Sequence, residues 1–164
     1  MSTDFYQTDL GSDSYLGEDD LRFLTSEHHF VYLKAKVFSD KTVMAKVLSV
    51  RDPAEAKKLG RKISPFNEEI WARNCYKAMF LAVLTKFQKT PRLKKLLLET
   101  GDAYIAEAAG YDYRYGLGLW EFSSQFIRGC KTKNGNFDVL PENWEGANLL
   151  GIALMEVRAT SKRY

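Results

Sequence analysis

The segment from Asn67 to Gln88 constrains the fold more than any other. It carries Ile70, Trp71, Met79, Phe80, Leu81, Val83, Leu84 and Phe87. At about 100° per residue these side chains point almost all round a helix axis. The pattern predicts one long helix, from Glu68 to about Gln88, capped by Asn67, central and buried. The remaining elements must then pack around it. With 45% hydrophobic and 13% aromatic residues, the 164-residue chain has enough apolar surface for one core. The expectation is a single domain over 1–164, mainly α with a minor β component. Its acidic, polar first 20 residues are expected to be a loosely ordered N-terminal segment.

Local punctuation predicts the other elements. "LRFL" (Leu21 to Leu24) reads as a short strand, and Thr25 or Ser26 caps a helix running to about Phe38. Asp40 caps a second helix, "KTVMAKVLSV". Asp52, with Pro53 at the first helical position, opens a third that ends at Gly60. Thr90-Pro91 restarts a helix that Gly101 stops. "AYIAEAA" fits a strand or a short helix equally, and "GYDYRYGLGLW" reads as a loop. Asn134-Gly135 marks a hairpin tip, and Asn143 or Glu145 opens a last helix through Val157.

Charge and cysteine content exclude several classes. The formal net charge of +3 does not by itself imply nucleic-acid binding, although Arg61, Lys62, Lys86 and Lys89 are candidates for a local basic surface. Cys75 and Cys130 lack metal-ligand spacing and read as free thiols of a reducing compartment. With His28 and His29 the only histidines, no metal site is expected, and no cofactor either. One histidine is expected to be structural or to touch substrate, and the other to be solvated. There is no run of about 18 apolar residues and no signal-peptide pattern. The expected location is intracellular: cytoplasmic, or nuclear in a eukaryote.

The stretch "TSEHHFVYLKAKVF" places Lys34 on the apolar side of its own helix. Phe30, Val31, Val37 and Phe38 fall within roughly 60° of it, whereas Tyr32, Lys36 and His29 lie toward the other side. Glu27, two turns earlier, falls roughly 20° from the same line and about 10 Å away along the axis. Two readings follow. Lys34 snorkels or pairs with Glu27. Alternatively, it is a desolvated amine, partly neutral, that attacks a carbonyl-like carbon while the carboxylate moves protons.

"EHHFVYLKA" resembles the E-H-x-Y/F-x-x-x-K-A motif of the NADAR (YbiA-like) family. The resemblance continues through "LGR" (Leu59 to Arg61), the Trp71-to-Met79 spacing, "KFQKTPRLKKLLLETGD", "EAAGYDYRYGLG" (Glu107 to Gly118) and "GANLLGIALMEVR". It covers roughly residues 21 to 158, with the segments in the family's order. The chain departs from the pattern at Val31, Cys75 and Tyr115, where the family favours glutamine, arginine and tryptophan. At the N-terminus "TDFY" (Thr3 to Tyr6) stands in for a serine-asparagine-aromatic segment, with Asp4 where asparagine is usual.

The resemblance implies a hydrolase of the N-glycosidase class, cleaving between ribose C1 and a nitrogen. One branch of the family removes ADP-ribose from guanine bases in DNA or RNA. Another acts on aminopyrimidine ribose-phosphate intermediates of riboflavin synthesis. A catalytically silent ADP-ribose or nucleotide-binding module on the same fold is the third reading. The departures at Val31, Cys75 and Tyr115, without a fused riboflavin-pathway domain, favour the ADP-ribosyl-guanine branch. A lysine matching Lys34 is implied as nucleophile through a Schiff-base-type adduct with opened ribose, with Glu27 and Asp112 as catalytic carboxylates. Arg61 is the phosphate candidate. Trp71 and Tyr115 are candidates to stack on the base, and His28 and Glu107 to contact substrate. Gly116 and Gly118 are expected to let the backbone approach it. Asn148 is either a substrate ligand or a helix-cap partner.

Overall fold

The computed structural model describes residues 15–17, 20–107, 112–116 and 146–162. Over the described residues the protein is mainly α with a two-stranded antiparallel sheet. Strand β1 (Tyr15–Leu16) pairs with β2 (Arg22–Phe23), with Tyr15 opposite Phe23 and Leu16 opposite Arg22. The helices among the described residues are α1 (Ser26–Val37), α2 (Lys41–Ser49), α3 (Pro53–Gly60), α4 (Glu68–Lys89), α5 (Pro91–Glu99) and α6 (Leu149–Ser161). The chain divides into two compact units, Met1–Gly101 with Val157–Tyr164, and Asp102–Glu156. Among the described residues no helix is long and apolar enough to cross a membrane.

The helix boundaries follow the caps. Thr25, Asp40, Asp52 and Asn67 each accept a backbone N–H of the first helical turn, from His28, Val43, Ala54 and Ile70 respectively. Each bond satisfies a donor that the helix itself leaves without a partner. Pro53 and Pro91 start their helices, where the missing N–H costs nothing. Beyond α5, Gly101 adopts the left-handed conformation, φ 61°, that ends a helix.

In the first unit the central element is α1, not α4. Helix α1 packs against α2, α3, α4 and β2. Ser26, every residue from His28 to Leu33, and Ala35 are buried. Helix α4 instead buries one face, made by Trp71, Cys75, Ala78, Met79, Ala82, Val83, Lys86 and Phe87. Ile70 is 45% exposed, and Phe80, Leu81 and Leu84 are only half-buried. The all-round apolar pattern of α4 therefore overstated its enclosure. The shorter α1 is surrounded although it carries two histidines and a tyrosine. Each fully buried Val, Leu or Phe here contributes about 1.5–3 kcal/mol.

Other expectations are corrected in the same way. Lys86, a candidate surface cation, is only 1% exposed, whereas Arg61, Lys62 and Lys89 are exposed. The last helix does not begin at Asn143 or Glu145, because residues 146–148 are not helical; it starts at Leu149 and runs past Val157 to Ser161. "AYIAEAA" has no regular structure over residues 103–107, and of the segment expected to be a loop, residues 113–116 form a turn. The Asn134-Gly135 tip and Cys130 lie outside the described residues. Cys75 is a buried free thiol.

Candidate functional site

Lys34 lies in the last turns of α1, half-buried. Its Nζ donates to the Gly60 carbonyl at 2.9 Å, at the end of α3. It also stands over the rings of Phe66 (4.7 Å) and Trp71 (5.2 Å). The sequence explains this setting. Phe66 precedes the Asn67 cap and Trp71 is the fourth helical residue after it, the spacing of a hydrophobic staple. The ammonium of Lys34 faces both members of that pair. A carbonyl oxygen and two π faces all favour the charged ammonium form. The burial imposed by the apolar stripe is thus met by three contacts that stabilise the cation.

The loop joining α3 to α4 is held from below. Asp40 accepts from Val43 N–H through Oδ1 and from Ser64 N–H through Oδ2, both at 3.0 Å. These bonds, Val43 first, hold its carboxyl below the ordinary carboxylate range. The Ser64–Pro65 peptide is cis. Phe66 leans on Phe38, with ring centroids 5.0 Å apart, and is still 45% exposed. Asp40, Gly60 and Phe66 did not emerge as site residues from the sequence. The staple spacing could have signalled Phe66, whereas Gly60 enters through its carbonyl, which no residue type announces.

Trp71 is core. It is 3% exposed and packs near Phe30 (5.6 Å between centroids) and Phe38 (6.4 Å). Its ring therefore offers no solvent side on which a substrate base could stack. Arg61, the residue after α3, is exposed beside the carbonyl that holds Lys34. Glu27 is half-buried in the first turn of α1, where a helix N-terminus favours a carboxylate.

Both histidines are buried, each 2% exposed, so neither is the solvated one expected. Thr25 Oγ1 accepts the His28 backbone N–H at 3.4 Å and meets the ring Nδ1 at 2.8 Å. Burial lowers the pKa of His28 against the opposing Val50 carbonyl and Asp52 carboxylate. The bonds to Thr25 anchor the helix start through Nδ1 and the backbone, while His28 Nε2 is buried with no hydrogen-bond partner. His29 stacks on Phe23 at 4.2 Å, and its Nδ1 meets the Tyr15 hydroxyl at 3.1 Å. Tyr15 in turn donates to the Ala82 carbonyl at 3.3 Å. Burial, then the charge of Lys36, lowers the pKa of His29 to about 4. Burial pushes the Tyr15 hydroxyl well above its ordinary value.

The second unit holds the other candidates. Asp112 Oδ1 accepts from Arg114 N–H (3.2 Å) and Tyr115 N–H (2.9 Å), forming an Asx turn. The turn aims the carbonyls of Tyr113, Arg114, Tyr115 and Gly116 at the N–H groups of Ala147, Leu149, Leu150 and Asn148, respectively. The start of α6 is thus capped by backbone rather than by a side chain. Asn148, 2% exposed and at φ 46°, turns its amide to residues 105–107. Its Nδ2 donates to the Ile105 carbonyl and its Oδ1 accepts from Glu107 N–H, each at 3.0 Å. The amide therefore braces a loop, instead of capping α6 or presenting itself to a ligand. Tyr115 and Glu107 are half-buried, Gly116 is buried, and Gly118 lies outside the described residues.

"N-glycosidase R617" of Acanthamoeba polyphaga mimivirus is 31% identical over 148 residues, covering 90% of this chain and 79% of that protein. "Protein irg-1" of Caenorhabditis elegans is 30% identical over 140 residues, covering 84% of this chain and 60% of that protein. The solution structure of the E. coli protein YbiA superposes with a TM-score of 0.67 at 24% identity, over 95% of this chain and 77% of that one. The NADAR domain model matches residues 2–161 in one piece. The chain belongs to the NADAR family.

Proposed function

We propose that this protein is an N-glycosidase that hydrolyses a bond between ribose C1 and a base nitrogen, with Lys34 as nucleophile. The observation that carries the reading is the seat of Lys34. Its amine is held by the Gly60 carbonyl, Phe66 and Trp71, and the residue as a whole is half-buried. The mimivirus relative, named an N-glycosidase, supports it.

The chemistry balances as follows. The resting ammonium gives a proton to a carboxylate, and the free amine attacks C1. The C1–N bond to the base breaks, and the base nitrogen takes up the electron pair and a proton. Ring opening leaves an imine between C1 and Nζ. Water then adds to C1, the C1–Nζ bond breaks, and amine and free ribose are released. The reading gives proton transfer to Glu27 and Asp112, each tested by its amide variant, and phosphate binding to Arg61.

The leading substrate is ADP-ribosylated guanine in nucleic acid, and the second is an aminopyrimidine ribose phosphate. A side-by-side turnover assay of the two separates them. Borohydride added during turnover is expected to leave one sugar-phosphate-sized mass on the peptide carrying Lys34. Lys34→Ala and Lys34→Arg should both lose adduct and turnover, and Lys36→Ala neither. Near-normal turnover by either Lys34 variant excludes the covalent route. Substrate binding without turnover by the intact protein would favour a silent binding module.

A further inference from the structure

We infer that Gly60 is a positioning residue of the proposed reaction: the absence of a side chain there lets the end of α3 approach α1 closely enough to hold Lys34. Its effect on turnover rests on the glycosidase reading, whereas the contact geometry does not. Any residue supplies a carbonyl, so the bond from Lys34 Nζ does not by itself explain a glycine. Helix termination does not explain it either. Gly60 is the last residue of α3 rather than the one beyond it, and Arg61, which follows, is right-handed at φ −80° and ψ −16°. Gly60 has no positive φ, unlike Gly101. In such a conformation alanine is the better helix former.

Close approach supplies the reason. Ala56 and Gly60, both small, are the buried residues of α3, which packs against α1 and α2. A Cβ added to Gly60 would lie 3.0 Å from Val31 Cγ2, 3.5 Å from Cγ1 and 3.8 Å from Cβ. The first approach is tighter than ordinary van der Waals contact, and the other two are not. Val31 is buried within α1, and a β-branched side chain in a helix has little freedom at χ1. The backbone at residue 60 must then give way, by a few tenths of an ångström. Val31 and Lys34, three residues apart, are neighbours on the surface of α1. Gly60 thus meets α1 at two points: Val31 lies where its side chain would be, and Lys34 bonds its carbonyl oxygen. Crowding at the first point moves the second. At 2.9 Å the Nζ–oxygen distance has little room within a hydrogen-bond range of about 2.7–3.2 Å. Loss of the acceptor disfavours the ammonium form and releases the amine from its aim.

The test compares the wild type with Gly60→Ala, Gly60→Val, Val31→Ala and the double variant Gly60→Ala/Val31→Ala. One readout is the pH dependence of reductive methylation at Lys34, with Lys36 as internal reference, followed by mass spectrometry. The others are kcat, KM and thermal melting. In Gly60→Ala the midpoint of Lys34 labelling should fall by about 0.5–1 pH unit, a roughly 3- to 10-fold larger free-amine fraction. That is less than a full charge-assisted hydrogen bond, because Lys34 is only half-buried. Gly60→Val, with two further methyl groups, should shift it more. In both, kcat should fall at least about threefold with KM within about twofold. Val31→Ala alone should match the wild type in all three. The double variant should recover wild-type labelling and kcat, since Val31 Cβ at 3.8 Å leaves room for the new methyl. A labelling midpoint that does not move in folded Gly60→Ala and Gly60→Val overturns the assignment, as does a shift that Val31→Ala fails to reverse. Should Gly60→Val not fold, Gly60→Ala decides. A shifted and rescued midpoint in a protein that cleaves no glycosidic bond would remove the proposed reaction and leave the seat standing. Cleavage by the wild type with unmoved midpoints would remove the role of Gly60 and leave the reaction.

Discussion

Replacing Gly151 with alanine should unlatch α6 from the loop it braces. An added Cβ would overlap the Ile105 carbonyl oxygen and come within 2.6 Å of Asn148 Oδ1. Both obstacles are awkward to move. The first is backbone, and the second is an amide whose two ends are bonded to Ile105 and Glu107 at 3.0 Å. Relief therefore requires giving up those two hydrogen bonds, about 1 kcal/mol each, and leaving an Asn148 amide atom without a partner costs about 1–3 kcal/mol more. Alanine returns up to about 1 kcal/mol of helix propensity. The net expectation is a loss of about 2–4 kcal/mol, or roughly 4–16 °C in Tm for a chain of this size. Urea and thermal melts of Gly151→Ala, Asn148→Gly and the double variant form the assay. Glycine suits the φ of 46° at position 148, so Asn148→Gly removes the amide without adding backbone strain. Because both single changes break the same bonds, the double variant should be much more stable than additivity predicts. A Gly151→Ala protein within about 0.5 kcal/mol of the wild type, or strict additivity, would refute the latch.

Three further outcomes are expected. His29 has a folded pKa of about 4 against an ordinary 6.5. As pH falls below 6.5 the unfolded chain takes up a proton that the folded chain refuses. Stability should therefore drop toward pH 4 by up to about 1.4 kcal/mol per pH unit, measurable by urea melts, and proton NMR should show the ring untitrated above pH 5. The depressed carboxyl of Asp40 contributes stability that is full above the ordinary value of 3.8 and is lost as pH falls through its folded value. Asp40→Asn should flatten that acid-side slope and speed hydrogen exchange at Ser64, and unchanged exchange would detach the loop from Asp40. Glu27→Gln should keep its melting temperature and lower turnover by about 10²–10⁴-fold if Glu27 moves protons; an unchanged rate would remove it from the mechanism.

The sequence by itself determined the helices and most of their ends. Caps and prolines act within four residues of a helix start, so Thr25, Asp40, Asp52, Asn67, Pro53 and Pro91 could be read without knowing the fold. It also singled out Lys34, because a cation on an apolar face needs a special partner wherever that face packs. Tertiary structure decided which partner. Gly60, Phe66 and Trp71 reach Lys34 from other elements, and the Gly60 carbonyl is backbone that any residue supplies. It reversed the roles of α1 and α4 as well: hydropathy ranks side chains by type, but burial depends on what surrounds them. Helix α1 is enclosed with His28, His29 and Tyr32 inside because ring contacts with Phe23 hold His29 and Tyr32 there and hydrogen bonds hold Nδ1 of both histidines. Asn148 is the same lesson on a smaller scale. Its type suited a cap or a ligand contact, and only the approach of residues 105–107 to α6 gave its amide to the backbone.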